Sequence, residues 1–200
     1  MREVITQPGV RPVLAVVMLW ILGHNILYTY IAPFLARANL ADSADIVLLI
    51  FGAAAIGGIW GTGVVVDRRL RIATLASLAG FAGAAVILGV GAESAPVVIA
   101  GVIAWGLTFG GAPTLLQTAI ADAAGANADV AQSMLVTVFN LAVAGGGLLG
   151  GLLLSSVGTR ALPTAALAAS VLALGIVFAA SHAFPLGRPG HRCLFRKISC

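Results

Sequence analysis

Charge is scarce in this chain. Only 9% of its 200 residues are Asp, Glu, Lys or Arg, against about 25% in an ordinary soluble domain. A soluble fold of this size could not cover its surface with so few. Alternation of apolar and polar residues is also missing, which argues against a β-barrel, whose strands alternate over about ten residues. Cysteine is limited to Cys193 and Cys200, both in the tail. Their spacing with His191 does not suit a zinc site, so free thiols are expected there. No His-Glu-x-x-His motif occurs, and no metal or cofactor is expected.

What the chain has instead is uncharged length. Six segments carry no charge: Val13–Ala36, Ile46–Val66, Ile72–Ala92, Ser94–Ala121, Val130–Thr159 and Ala161–Gly187. A helix needs roughly 20 residues to cross a hydrocarbon core of about 30 Å. Lipid offers no partner to a bare peptide group, so such runs must be helical. The expected fold is an all-α membrane protein of six transmembrane helices. It divides into a cytoplasmic segment at 1–12, a bundle over 13–182 and a basic disordered tail over 183–200. Val13–Ala36 exceeds the apolar stretch of a cleaved signal peptide and is interrupted by His24 and Asn25, so it reads as the first span.

The basic residues orient the bundle. With the N-terminus inside, nine of the eleven fall on the cytoplasmic side: Arg2, Arg11, Arg68, Arg69, Arg71, Arg188, Arg192, Arg196 and Lys197. Only Arg37 and Arg160 fall outside. That is a positive-inside bias, and an even span number leaves both termini cytoplasmic.

The twenty-five glycines form stripes. Gly57/Gly61, Gly106/Gly110, Gly146/Gly150 and Gly147/Gly151 are spaced by four residues, which lets a neighbouring helix approach closely. Static packing and sliding helices are both open readings. Ile31-Ala32-Pro33 and Gly111-Ala112-Pro113 occupy comparable places in the first and fourth helices. Each precedes a Gly-Gly-x-x-Gly run on the next helix, a pattern expected of two inverted three-helix repeats.

Several stretches carry a family likeness. Gly63-Val64-Val65-Val66-Asp67-Arg68-Arg69-Leu70-Arg71 resembles the loop signature G-x-x-x-D-R-x-G-R of the major facilitator superfamily, departing at Leu70. Tyr28 to Leu35 resembles the seventh helix of its bacterial sugar- and drug-efflux branch. Gly106 to Pro113 with Gln117-Thr118 resembles the tenth helix, and Phe139 to Gly151 the eleventh. The resemblance implies the C-terminal six-helix half of a twelve-helix transporter in the bacterial inner membrane. It implies proton-coupled efflux of a small molecule by alternating access, with a second half or a homodimer partner. A truncated or orphan half, acting as a non-transporting membrane subunit, is the alternative. An enzyme is not expected, since the buried serines have no catalytic setting.

Polar groups within a bilayer are costly and face the interior or a wet cavity. His24, Asn25, Tyr28, Gln117 and Asn140, with Trp105 as an aromatic wall, are the candidate substrate pocket. Interhelical hydrogen bonding is the plain alternative for each. His24 is the ionisable group deep in a helix, a proton carrier or a neutral core histidine. Gly63, Asp67, Arg68 and Arg71 are the candidate gating loop, with a topology-fixing basic cluster as the alternative. Lipid is a partner throughout, and the tail's cations could meet anionic headgroups. Nucleic acid is not an expected partner.

Overall fold

Continuous apolar runs leave the backbone one way to satisfy itself, and the chain takes it. The computed structural model, which describes residues 2–181 and 183–184, contains only helices and turns among those residues. They are α1 (Arg2–Ile5), α2 (Val10–Thr29), α3 (Ile31–Leu35), α4 (Ala44–Val90), α5 (Ala95–Phe109), α6 (Ala112–Ala124), α7 (Ala128–Ser156) and α8 (Ala161–Ala179). Short 3-10 turns lie at Ala36–Ala38, Ala41–Ser43 and Gly125–Asn127. Among the described residues, four helical stretches are long and apolar enough to cross a membrane. Most of the tail, with His191, Cys193, Cys200 and its basic residues, lies outside the described residues.

Proline sets two of the breaks. Proline lacks the N–H that would bond the carbonyl four residues back, and its ring crowds that carbonyl. Four residues before Pro33 is Thr29, where α2 ends; four before Pro113 is Phe109, where α5 ends. Tyr30 then takes a non-helical conformation (φ −112°, ψ 30°) before α3 resumes. The fourth apolar segment is thus two helices, α5 and α6, where the sequence suggested one with an internal proline.

The basic cluster behaves differently from its sequence reading. The sequence places the end of the second helix at Asp67 and the opening of the third at Arg71. Instead α4 keeps helical bonding through the cluster and leaves the helical region only at Arg69 (φ −143°, ψ 46°). Neither Gly nor Pro occurs between Val64 and Ser77. At Leu70, where the resembled signature has glycine, the leucine is buried and extends the helix. The two limbs of α4 lie side by side, since Gly61 and Val65 of the first share a cleft with Ile72 and Ala76 of the second. Glu93, just past α4, bonds Arg37, just before it. Both ends of α4 therefore reach the same end of the bundle, and α4 is a helical hairpin.

Around this hairpin, α2 is the central stave. It packs against α6, α7 and α8, while α4 packs on α5, α6 and α8. Val13, Val17, Trp20, Ile21 and Leu27 of α2 have no exposed surface. Gly158, at φ 93°, closes α7 in the left-handed region. Its N–H donates to the Leu153 carbonyl at 3.1 Å, a bond that an L-residue would make under strain.

Ion pairs and caps mark the two ends. At one, Arg37 donates to Glu93 Oε1 at 3.1 Å, with Arg160 3.7 Å from the same oxygen. At the other, Arg71 donates to the Phe178 carbonyl at 3.0 Å. That carbonyl lies in the last turn of α8, where backbone acceptors have no intrahelical donor.

Candidate functional site

Residues four apart on a helix share a face. His24 and Tyr28 do so on α2, and Trp105 and Phe109 on α5. Packing α2, α4 and α5 together brings these four rings into one cluster, with Phe51 from the first limb of α4 and Phe81 from the second. The His24 and Phe109 rings are parallel, with centroids 3.6 Å apart. Tyr28 stacks on the imidazole at 5.2 Å, and Trp105 meets it edge-on at 5.3 Å. Phe51 lies 4.8 Å from Trp105 and 5.9 Å from His24. Phe81 lies 6.1 Å from Phe109, and Trp20 meets Phe109 edge-on at 6.3 Å. Most of these separations suit attractive aromatic pairs, worth about 0.5–1.5 kcal/mol each beyond area burial.

One hydrogen bond organises the cluster. Trp105 Nε1 donates to His24 Nδ1 at 3.1 Å. An indole nitrogen can only donate, so His24 Nδ1 must accept and carries no proton. In this arrangement the imidazole is neutral, with its proton on Nε2. Trp105 is 1% and His24 8% exposed, whereas Tyr28 is 42% exposed. The cluster is closed at its floor and open at Tyr28.

Glycine allows the rings to converge. A methyl at Gly106 would stand 2.6 Å from the Phe51 carbonyl oxygen and 2.8 Å from Ala54 Cβ. One at Gly110 would strike the Ala55 carbonyl, and one at Gly58 the Leu107 carbonyl. The first limb of α4 and α5 are thus in backbone contact, which carries Phe51 to Trp105. Gly57 meets only the tip of Leu107, and Gly61 meets nothing within 4 Å. On α7, Gly146 faces Asn25, and Gly150 and Gly151 face Tyr30, whose hydroxyl donates to the Gly147 carbonyl at 2.8 Å. A methyl at Gly147 would touch nothing within 4 Å.

The structure gathers three of the six candidate pocket residues: His24, Tyr28 and Trp105. Asn25 points elsewhere. Its Nδ2 donates to the Ile21 carbonyl at 2.8 Å, and its Cβ rests on Gly146. Asn140 is exposed and donates to its own helix at the Val136 carbonyl, 2.8 Å away. The Gln117 side chain is exposed, and the backbone carbonyl of Gln117 accepts from Gln132 Nε2 at 3.0 Å, tying α6 to α7. Sequence reasoning passed over Phe51 and Phe81 and cited Phe109 only within a motif. Phe109 carried a usable signal, four residues past Trp105. Phe51 and Phe81 carried none, being apolar residues in apolar runs.

Of the candidate gating loop, Asp67 and Arg68 are exposed, Gly63 has open space beside it, and Arg71 holds α8. Among the described residues, no group of three His, Cys, Asp or Glu side chains could hold a metal ion.

No family model matches the chain. It is 32% identical over 167 residues to the purine ribonucleoside efflux pump NepI of Escherichia coli (strain K12). The same figures hold for NepI of Shigella flexneri. NepI of Escherichia coli O1:K1 / APEC is 29% identical over 160 residues. Each alignment covers 78% of this chain and 40% of the relative, so the chain spans less than half the length of the curated relatives it matches. The crystal structure of the human organic anion transporter MFSD10 (TETRAN) superposes with a TM-score of 0.70. It shares 19% identity, and the superposition covers 86% of this chain and 46% of that one.

Proposed function

We propose, for a chain that belongs to the major facilitator superfamily and carries one half of that fold, transport of a small planar molecule across the bilayer. The chain is an integral membrane protein and not an enzyme. In this reading α2–α3, the two limbs of α4, α5–α6, α7 and α8 are six spans, the C-terminal half of a twelve-span carrier. The proline-directed breaks after Thr29 and Phe109 fall in the first and fourth spans, which supports two inverted repeats.

One observation carries the function: a packed cluster of aromatic rings around His24 in mid-span, buried except at Tyr28. Stacked rings suit a flat heteroaromatic ligand better than a sugar or an ion. The purine ribonucleosides named for the relatives fit that description, and we propose the same substrate class here. Asn25, Gln117 and Asn140 lie outside the ring cluster; they are proposed to line the wider passage toward the second half.

His24 links the ring cluster to protons. Its Nδ1 can hold either the Trp105 hydrogen bond or a proton, not both. Proton uptake would release the Trp105 indole, and proton loss would recapture it. That exclusivity couples ring geometry to protonation, as proton-driven efflux by alternating access requires. Asp67, Arg68 and Arg71 face the end opposite Arg37 and Glu93. We assign that end to the cytoplasm, with both termini, and read the Gly63–Arg71 turn as the gate toward the second half or a second copy of this chain.

The test is flux. Everted inner-membrane vesicles carrying this chain with a partner half should accumulate labelled purine ribonucleoside when acidified inside. His24→Gln should abolish the response to the pH gradient and spare substrate binding. Proton-driven flux retained by His24→Gln rejects the histidine's role, and no flux with any partner rejects the transport reading.

A further inference from the structure

Two clefts flank the first turns of α8, and both end at Arg160. One, of about 330 Å³, lies between α8 and the second limb of α4, lined by Val86, Gly89, Val90, Pro163 and Leu167. The other, of about 380 Å³, lies between α8 and the end of α7, lined by Leu153, Val157, Ala161, Ala165 and Ala168. Thr164 borders both, but its hydroxyl is occupied at the Arg160 carbonyl, 3.1 Å away, so the walls offer little beyond hydrocarbon. Arg160 borders both as well, with a side chain that is 79% exposed. Its guanidinium makes no hydrogen bond among the described residues. Its nearest carboxylate oxygen, Glu93 Oε1 at 3.7 Å, is already bonded by Arg37 at 3.1 Å. Arg160 is thus left with open donors beside an already engaged carboxylate, at an end that also carries Asp42 and Asp45.

From this geometry we propose that α8 is straddled by one anionic diacyl phospholipid of the phosphatidylglycerol type. One acyl chain lies in each cleft, and the phosphate rests on Arg160. Two separate apolar clefts joined at a single cation match two chains joined at a single phosphate. The guanidinium fork offers paired donors to phosphate oxygens, and an arginine with no carboxylate bonded to itself favours a lipid of net charge −1 over a zwitterionic one. The proposal rests on the chain's place in a bilayer and not on transport, so a failed flux assay leaves it standing.

Native mass spectrometry of the purified full chain in detergent tests it, by titration with dioleoylphosphatidylglycerol and, separately, dioleoylphosphatidylethanolamine. The first-bound phosphatidylglycerol should be preferred by about fivefold, the value of one cation near a headgroup. Arg160→Gln should bring the two lipids to parity, while Arg160→Lys keeps most of the preference. Arg68→Gln, which removes an exposed cation at the opposite end, should leave it intact. Gly89→Leu and Ala168→Leu, each filling one cleft, should weaken both lipids alike. Equal wild-type affinity for the two lipids overturns the proposal. So does an unchanged preference in Arg160→Gln, an equal loss in Arg68→Gln, or full affinity with both clefts filled.

Discussion

The two limbs of α4 are alike in composition and opposite in fate. Both are apolar, with charge only at Asp45 and in the Asp67–Arg71 cluster, and they are joined at Arg69 within one run of helix. Before the break only Val47 and Val66 are buried; after it Leu70, Thr74, Leu78, Phe81, Ala82, Ala84, Ala85 and Leu88 are. Ile46, Leu49, Ile56, Ile59, Trp60 and Val64 of the first limb are exposed, Trp60 at 77%. In a membrane, hydropathy separates lipid from water and not core from lipid. Burial is then decided by which small residues let a neighbour approach. The second limb sits between α5 and α8, and the first touches α5 along a narrow line of Gly58, Gly106 and Gly110.

The sharpest test of this contrast removes one large ring from each limb. Phe81→Ala should cost about 3–5 kcal/mol, the usual loss for a buried phenylalanine. Trp60→Ala should stay within about 0.5 kcal/mol, as exposed substitutions do. Thermal unfolding in detergent followed by circular dichroism measures both, and comparable losses would erase the distinction between the limbs.

A second pair of variants separates the glycines. Gly110→Ala drives a methyl into the Ala55 carbonyl and should destabilise by about 1–3 kcal/mol. Gly61→Ala meets no atom within 4 Å and should be neutral or stabilising by up to about 1 kcal/mol, from helix propensity alone. Equal effects in the same melts would mean that the line of contact between α4 and α5 lies elsewhere.

The smallest effect concerns the ring cluster to which both limbs contribute. Trp105→Phe keeps a ring and deletes the donor to His24, at a cost of about 0.6 kcal/mol, typical of hydrogen bonds within membranes. Its signature is spectroscopic. Nitrogen NMR of His24 should show Nδ1 as an unprotonated acceptor in the parent, with a shift on loss of the indole. An Nδ1 that carries the proton in the parent would contradict the assigned tautomer.

His24, Tyr28 and Trp105 were legible because a polar or amphipathic side chain stands out in an apolar run and helical spacing shows which residues share its face. Phe51 and Phe81 were illegible for the converse reason: a phenylalanine among leucines and valines has no contrast until another helix lies against it. Asn25 and Asn140 have the polarity of pocket residues, yet each satisfies its amide on its own helix, an option that spacing does not reveal. The Asp67–Arg71 cluster read as a loop because charge ends a span, but charge does not end a helix.

By itself the sequence determined that the chain enters the bilayer as helices, because uncharged runs of span length leave the backbone no other partner. Proline also directs the breaks of α2 and α5, by acting on the carbonyl four residues behind it, although the run around Pro113 reads in the sequence as one helix. Tertiary structure alone decided which apolar faces became core, that the helix turns back at Arg69 rather than across a loop, and that four rings from three helices meet at one imidazole. Those outcomes depend on contacts between residues far apart in the chain, and on small side chains at the crossings that let the backbones come close enough to make them.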